Sequence, residues 1–206
     1  MATRLQLYKR ALRILKERRI SSLSEKQESR YLLDEVWDEG GVRACLSNGH
    51  WNFAMRTIQI EYTSSLEPDF GFTRAFVKPS DWVRTSALCG DEFFLNPLQG
   101  YADEASYWFA DLDTLYVKYV SDDSSYGNDL SLWTEGFFDY AAHYFAAEIQ
   151  GSLTSSESKE INLDQRLKKA LANAKSEDGQ NEPSRPTPQG SWSKARTIGR
   201  RNRWER

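Results

Sequence analysis

Residues 129–153 (DLSLWTEGFFDYAAHYFAAEIQGSL) gather Leu132, Trp133, Phe137, Phe138, Tyr140, Tyr144, Phe145 and Ile149 into one short stretch. Their recurrence at spacings of three and four predicts a helix. Ala141, Ala142, Ala146 and Ala147 fill much of what would be its polar side, so this helix is apolar almost all round. Such a helix needs partners on most sides. The set Phe137, Phe138, Tyr140, Tyr144, Phe145 and Ile149 is therefore expected to serve core packing, subunit packing or both.

A chain of 206 residues can bury one core, or one core with a small appendage, because single domains commonly run to roughly 100–200 residues. An aromatic content of 13% with seven tryptophans is rich beside 39% apolar residues. Aromatics of this kind favour interfaces as well as cores, which leans towards an assembly protein. Cys45 and Cys89 stand far apart, without a CxxC pair or histidines at metal-ligand spacing, and read as reduced core thiols. The N-terminus scatters charge through its apolar positions, and no stretch approaches the roughly 18 apolar residues of a membrane span. Synthesis in the cytosol follows, with any later export inside something larger.

In chain order, Leu5, Tyr8, Leu12 and Leu15 mark one face of a first helix over 4–18, and Arg4, Lys9, Arg10, Arg13, Lys16 and Glu17 populate the others. Ser24 followed by Gln27 is a capping-box pattern that would start a second helix running to Leu46. Gly40-Gly41 conflicts with it, and predicts a kink or a close backbone approach. Residues 47–49 suit a left-handed cap. Alternation of Ile58 and Ile60 with Thr57, Gln59 and Glu61 predicts a strand from Met55. A second strand runs through Phe70, Phe72 and Phe76 to Lys78-Pro79, and Ser80 or Asp81 would cap a helical turn over 82–88. Residues 90–100 read as a loop presenting Phe93 and Phe94. Residues 106–110 and 114–121 read as a hairpin joined by 111–113. After the turn cluster at 122–128 and the aromatic helix comes a last helix over 159–178, with Asn162 and Gln165 as a second capping-box pattern.

The expected architecture is α+β, mainly α: a bundle of about four helices (1–54 and 129–178), an inserted β-rich subdomain with a small antiparallel sheet (55–128), and an extended basic C-terminal arm (179–206).

No catalytic, cofactor-binding or metal-binding constellation emerges. Asp111 with Asp113, and Asp122 with Asp123, lie in turn contexts where Asp is favoured for local backbone bonds. His143 reads as a packed or interfacial imidazole and His50 as a loop or cap residue; no nucleophile motif or phosphate loop accompanies them. The chain reads as a non-enzyme.

The last 24 residues carry seven basic side chains against Glu205 alone, a charge of +6 that leaves −9 on the remainder of a chain of net −3. Pro183, Pro186 and Pro188 keep this arm extended, and Trp192, Ile198 and Trp204 follow no period. It lacks the surface to order itself and is expected to order on a partner. Arg185, Trp192, Lys194, Arg196, Arg200, Arg201 and Trp204 are its candidate contacts, either with an acidic protein groove or with nucleic-acid phosphates and bases.

SSLSE at 21–25, WNFAMR at 51–56, FVKPSDWVR at 76–84, YADEASYWFADLDTLYVKYVSDD at 101–123 and PTPQGSW at 186–192 stand in an order and spacing that resembles the head-to-tail adaptor proteins of short-tailed phages, the tail tubular protein A family. The likeness covers nearly the whole chain, and Gly40-Gly41 departs from the long helix expected there. It implies a virion protein at the head–tail junction, twelve copies of which form a ring beneath the portal. The helical part would surround the DNA channel, the β-rich part would face outward or tailward to the nozzle or next tail component, and the C-terminal segment would reach along the portal. DNA would pass through without specific binding, and no membrane would be involved. An acidic body suits a conduit that must not grip phosphates.

Overall fold

The first helix is fixed at both ends by its own residues. In the computed structural model, which describes residues 2–68, 71–95, 97–153 and 157–181, the Thr3 hydroxyl accepts the N–H of Gln6 while the Gln6 side chain accepts that of Thr3. This capping box starts α1 (Arg4–Leu15), and Lys16, at φ 62°, closes it with a left-handed turn. Leu7, Tyr8, Ala11 and Leu12 form its buried face. The hydroxyl of Tyr8 donates towards Leu33 O at 3.0 Å and Asp34 at 2.9 Å, and Arg4 pairs with Asp34 at 2.6 Å, which ties α1 to α2 (Glu28–Asp38).

The helix expected to run unbroken from Ser24 to Leu46 is two helices, α2 and α3 (Gly41–Ser47). Gly40 sits between them at φ 89°, and a Cβ on Gly41 would stand 2.7 Å from Val36 O and 3.1 Å from the Phe145 ring. Both halves of the sequence-level conflict are thus real: the chain turns at one glycine and a backbone crowds the next. The Ser24 box does not form; Gln27 precedes α2 without a side-chain cap. Asn48 ends α3 in a right-handed conformation, not the left-handed one expected.

After a single 3-10 turn (Asn52–Ala54) come six strands in two antiparallel sheets rather than one. β1 (Met55–Glu61), β6 (Thr114–Ser121) and β3 (Trp82–Cys89) form the first in the order β1-β6-β3; β2 (Arg74–Val77), β5 (Tyr107–Ala110) and β4 (Ala102–Glu104) form the second in the order β2-β5-β4. The expected helical turn over 82–88 is β3. The expected hairpin is absent, because β5 and β6 belong to different sheets. Their inner faces, with Phe76, Leu88, Trp108, Leu115, Val117 and Tyr119, enclose one apolar cluster.

α4 (Glu135–Leu153) and α5 (Glu157–Gln180) complete an α+β, mainly α fold with five α-helices among the described residues. The Asn162–Gln165 pair lies inside α5, not at its start. α4 packs on α1, α2, α3 and α5. Phe137 is its hub: the rings of Trp51, Phe53 and Trp133 each have their centroids 4.8 Å away, within the range of favourable aromatic pairing. No helix among the described residues is long and apolar enough to cross a membrane.

The two crowding regimes predict opposite signs for the same substitution. Gly41→Ala forces a methyl against the Val36 carbonyl and should cost about 1–3 kcal/mol. Gly151→Ala, in α4 with nothing within 4 Å of its added Cβ, should gain up to about 1 kcal/mol. Urea denaturation of the two variants reads the difference.

Candidate interaction surfaces

The aromatic face of α4 is spent inside the subunit. Phe137 and Phe145 are fully buried, Phe138, Tyr140 and Ile149 nearly so, and Tyr144 is half-buried. The partners its composition demanded come from the same chain. Cys45 and Cys89 are free and buried, and burial drives the Cys45 thiol far above its ordinary pKa.

The acids and histidines singled out in the sequence have structural partners. Asp111 accepts the N–H and hydroxyl of Thr73, Asp113 pairs with Arg74 at 3.1 Å, and Asp122 pairs with Arg43. Only Asp123 of the four acts as a turn residue in the expected way, accepting the N–H of Ser125 at 2.9 Å. His143 Nδ1 lies 2.8 Å from the Asp139 carbonyl, and His50 is exposed at the end of α5.

Two polar networks that sequence reading missed hold the β-layer. Asp81 accepts from Arg56 at 2.8 Å, from Tyr119 at 3.0 Å and from Ser121. Burial pushes its carboxyl up, but the combined hydrogen bonds from Ser121, Arg56 and Tyr119 outweigh this and bring it below the ordinary Asp value. Lys78, nearly enclosed, pairs with Asp103 and lies 3.9 Å from the Trp82 ring centroid. Asp103 is likewise lowered: burial opposes, and hydrogen bonds from Lys78 and Thr85 prevail.

Among the concave regions of the described residues, two bear on a partner. One, of about 430 Å³, lies where α5 ends and is lined by His50, Arg84, Lys175 and Asp178 among others. Asp178 clamps the helix end there, accepting the Asn52 N–H at 3.1 Å while Asn52 Nδ2 donates to its carbonyl at 2.9 Å. The other, of about 550 Å³, runs between α1 and the start of α4, with Lys9, Arg10, Arg13 and Arg19 around Trp133 and Phe138. The signal for it was visible in the sequence as the cations on α1 opposite its apolar face. The arm residues Arg185, Trp192, Lys194, Arg196, Arg200, Arg201 and Trp204 all lie outside the described residues.

No protein-family model matches this chain, and no curated protein matches it significantly.

The lowered carboxylates fix the sign of the acid response. Their stabilisation is fully present above the ordinary Asp value of 3.8 and is lost as pH falls through the lower folded values. Stability should therefore hold from neutrality to about pH 5 and decline below about pH 4. Asp81→Asn should lower it by about 1–3 kcal/mol at neutral pH and flatten the decline. Thermal melts across pH 3–7 test both.

Proposed function

We propose that this chain is a non-enzymatic, ring-forming virion protein that joins the portal of a phage capsid to the tail and extends the DNA channel. It docks on the portal through its C-terminal arm. The observation that carries the reading is the bipolar charge, −9 on the body and +6 on the last 24 residues, taken with the order of motifs that resembles the tail tubular protein A family. An arm whose cations and tryptophans alternate without period suits a groove on another protein. A body in which the acids picked out as candidate sites are engaged in structural bonds suits scaffolding. The end of α5, after which the basic sequence follows, is anchored to the body by the Asn52–Asp178 clamp.

The arm's Arg and Trp content also favours a second reading, nucleic-acid binding through phosphate contacts and base stacking. Removal of residues 183–206 separates the two. Under the adaptor reading the truncated chain keeps its circular dichroism and melting temperature and loses portal binding in a pull-down. Unchanged portal binding would refute the docking role. Salt-dependent DNA affinity of the full chain that vanishes on truncation would establish the second reading instead.

A further inference from the structure

We propose that the cationic groove along α1 receives residues 91–95 of a second copy of this chain. The inference rests on the ring-forming reading and names the contact that would close the ring.

The groove is built for an acidic partner with apolar side chains. Arg10 is already neutralised: it reaches Glu135 at 2.5 Å and Asp139 at 3.6 Å, and its guanidinium lies 4.7 Å from the Phe138 ring centroid. Lys9, Arg13 and Arg19, by contrast, have no acidic partner among the described residues. Three unmatched cations converge on one groove of a body whose net charge is −9. Beneath them the rings of Trp133 and Phe138 reach the groove only at their edges, since both are buried in the subunit.

The complementary feature sits in the β-layer, at the loop between β3 and β4. Its base is closed: Cys89 bridges to Pro97, and the Leu98 N–H donates to Leu88 O at 2.7 Å. Above that base the Asp91 carboxylate accepts the N–H groups of Phe93 at 3.0 Å and Leu95 at 3.2 Å. Phe94 is held at φ 51°, a conformation that costs a bulky residue of order 1 kcal/mol. The result is a shaped turn that stands Phe93 and Leu95 in water at 71% and 74% exposure, the two highest among large hydrophobics of the described residues. Glu92 is exposed beside them. An isolated subunit gains nothing from holding two apolar side chains and a carboxylate outward; the cationic rim matches the carboxylate, and the alkyl stems of Lys9, Arg13 and Arg19 with the ring edges between them offer contact to the apolar pair.

The groove belongs to the helical body and the turn to the β-layer, so the contact joins two different surfaces of one chain. Such a heterologous contact propagates from copy to copy and closes into a ring if the rotation permits. A polynucleotide offers phosphates but nothing apolar of fixed shape, whereas the turn at 91–95 brings a carboxylate and two apolar side chains together.

The test uses the full chain carrying Arg13→Cys and Glu92→Cys together, with native Cys45 and Cys89 buried and silent. Mild oxidation should give a ladder of disulfide-linked multimers reversed by thiol. A mixture of the two single variants should stop at dimers, since each then has one half of the contact. In parallel, Arg13→Glu and Glu92→Lys should each weaken self-association at least about tenfold, and their combination in one chain should recover much of it. No ladder above that of the single variants, or single reversals without effect on self-association, overturns the proposal. So does salt-dependent DNA binding that Arg13→Glu abolishes, which would assign the groove to phosphate. Rings that still form on the portal with reversed charges would refute this contact and leave the adaptor reading standing. A ladder from a chain that binds no portal would do the opposite.

Discussion

Phe137 is the point on which the helical body turns. Three rings, two from the segment before β1 and one from just before α4, stand at one common centroid distance from it, and α1, α2, α3 and α5 pack on the rest of α4. A helix apolar on nearly every side has two ways to escape water: neighbouring helices of its own chain, or another subunit. Here the first suffices. The largest reservoir of apolar surface in the sequence is consumed within the subunit, so any association between copies has to use smaller and more polar surfaces. Such contacts are weak singly and well suited to assembly on a template.

The electrostatics follow the same division. Within the body, several carboxylates are matched individually: Asp34 by Arg4 and Arg30, Asp81 by Arg56, Asp103 by Lys78, Asp122 by Arg43. Arg43 also donates to Trp82 O, and Arg84 to Ser47 O, so the joint between α3 and β3 is made of guanidinium bonds rather than apolar contact alone. Against this background the unmatched cations of α1 are distinctive. The inferred contact between copies uses them, and the proposed portal docking uses the basic C-terminal sequence.

Much of the fold was legible because it obeys a period. α1, α4 and α5 follow the 3.6-residue repeat, and β1 and β6 follow strict alternation, with Leu115, Val117 and Tyr119 all buried on one face. β3 was not legible for an identifiable reason: irregularities between Trp82 and Arg84 and between Thr85 and Ala87 shift its register twice, which erases alternation over WVRTSALC. Asp81, which looked like a cap for a helical turn there, is instead the acceptor for three side chains that only the fold brings together. The pairing of β5 with β2 and β4, rather than with its sequence neighbour β6, depends on burying Phe76 and Trp108 between sheets, a tertiary demand without local signature. Of the candidate sites, the aromatic set was recognisable as a group but not as interior to one subunit. The α1 groove needed the fold to bring Trp133 and Phe138 beside α1.

Electron microscopy of the full-length protein mixed with its cognate portal addresses the central claim most directly. A ring of copies coaxial with the portal, each sending its C-terminal segment along the portal wall, is the predicted image. Subunits scattered along DNA, or a portal left bare at saturating protein, would contradict it.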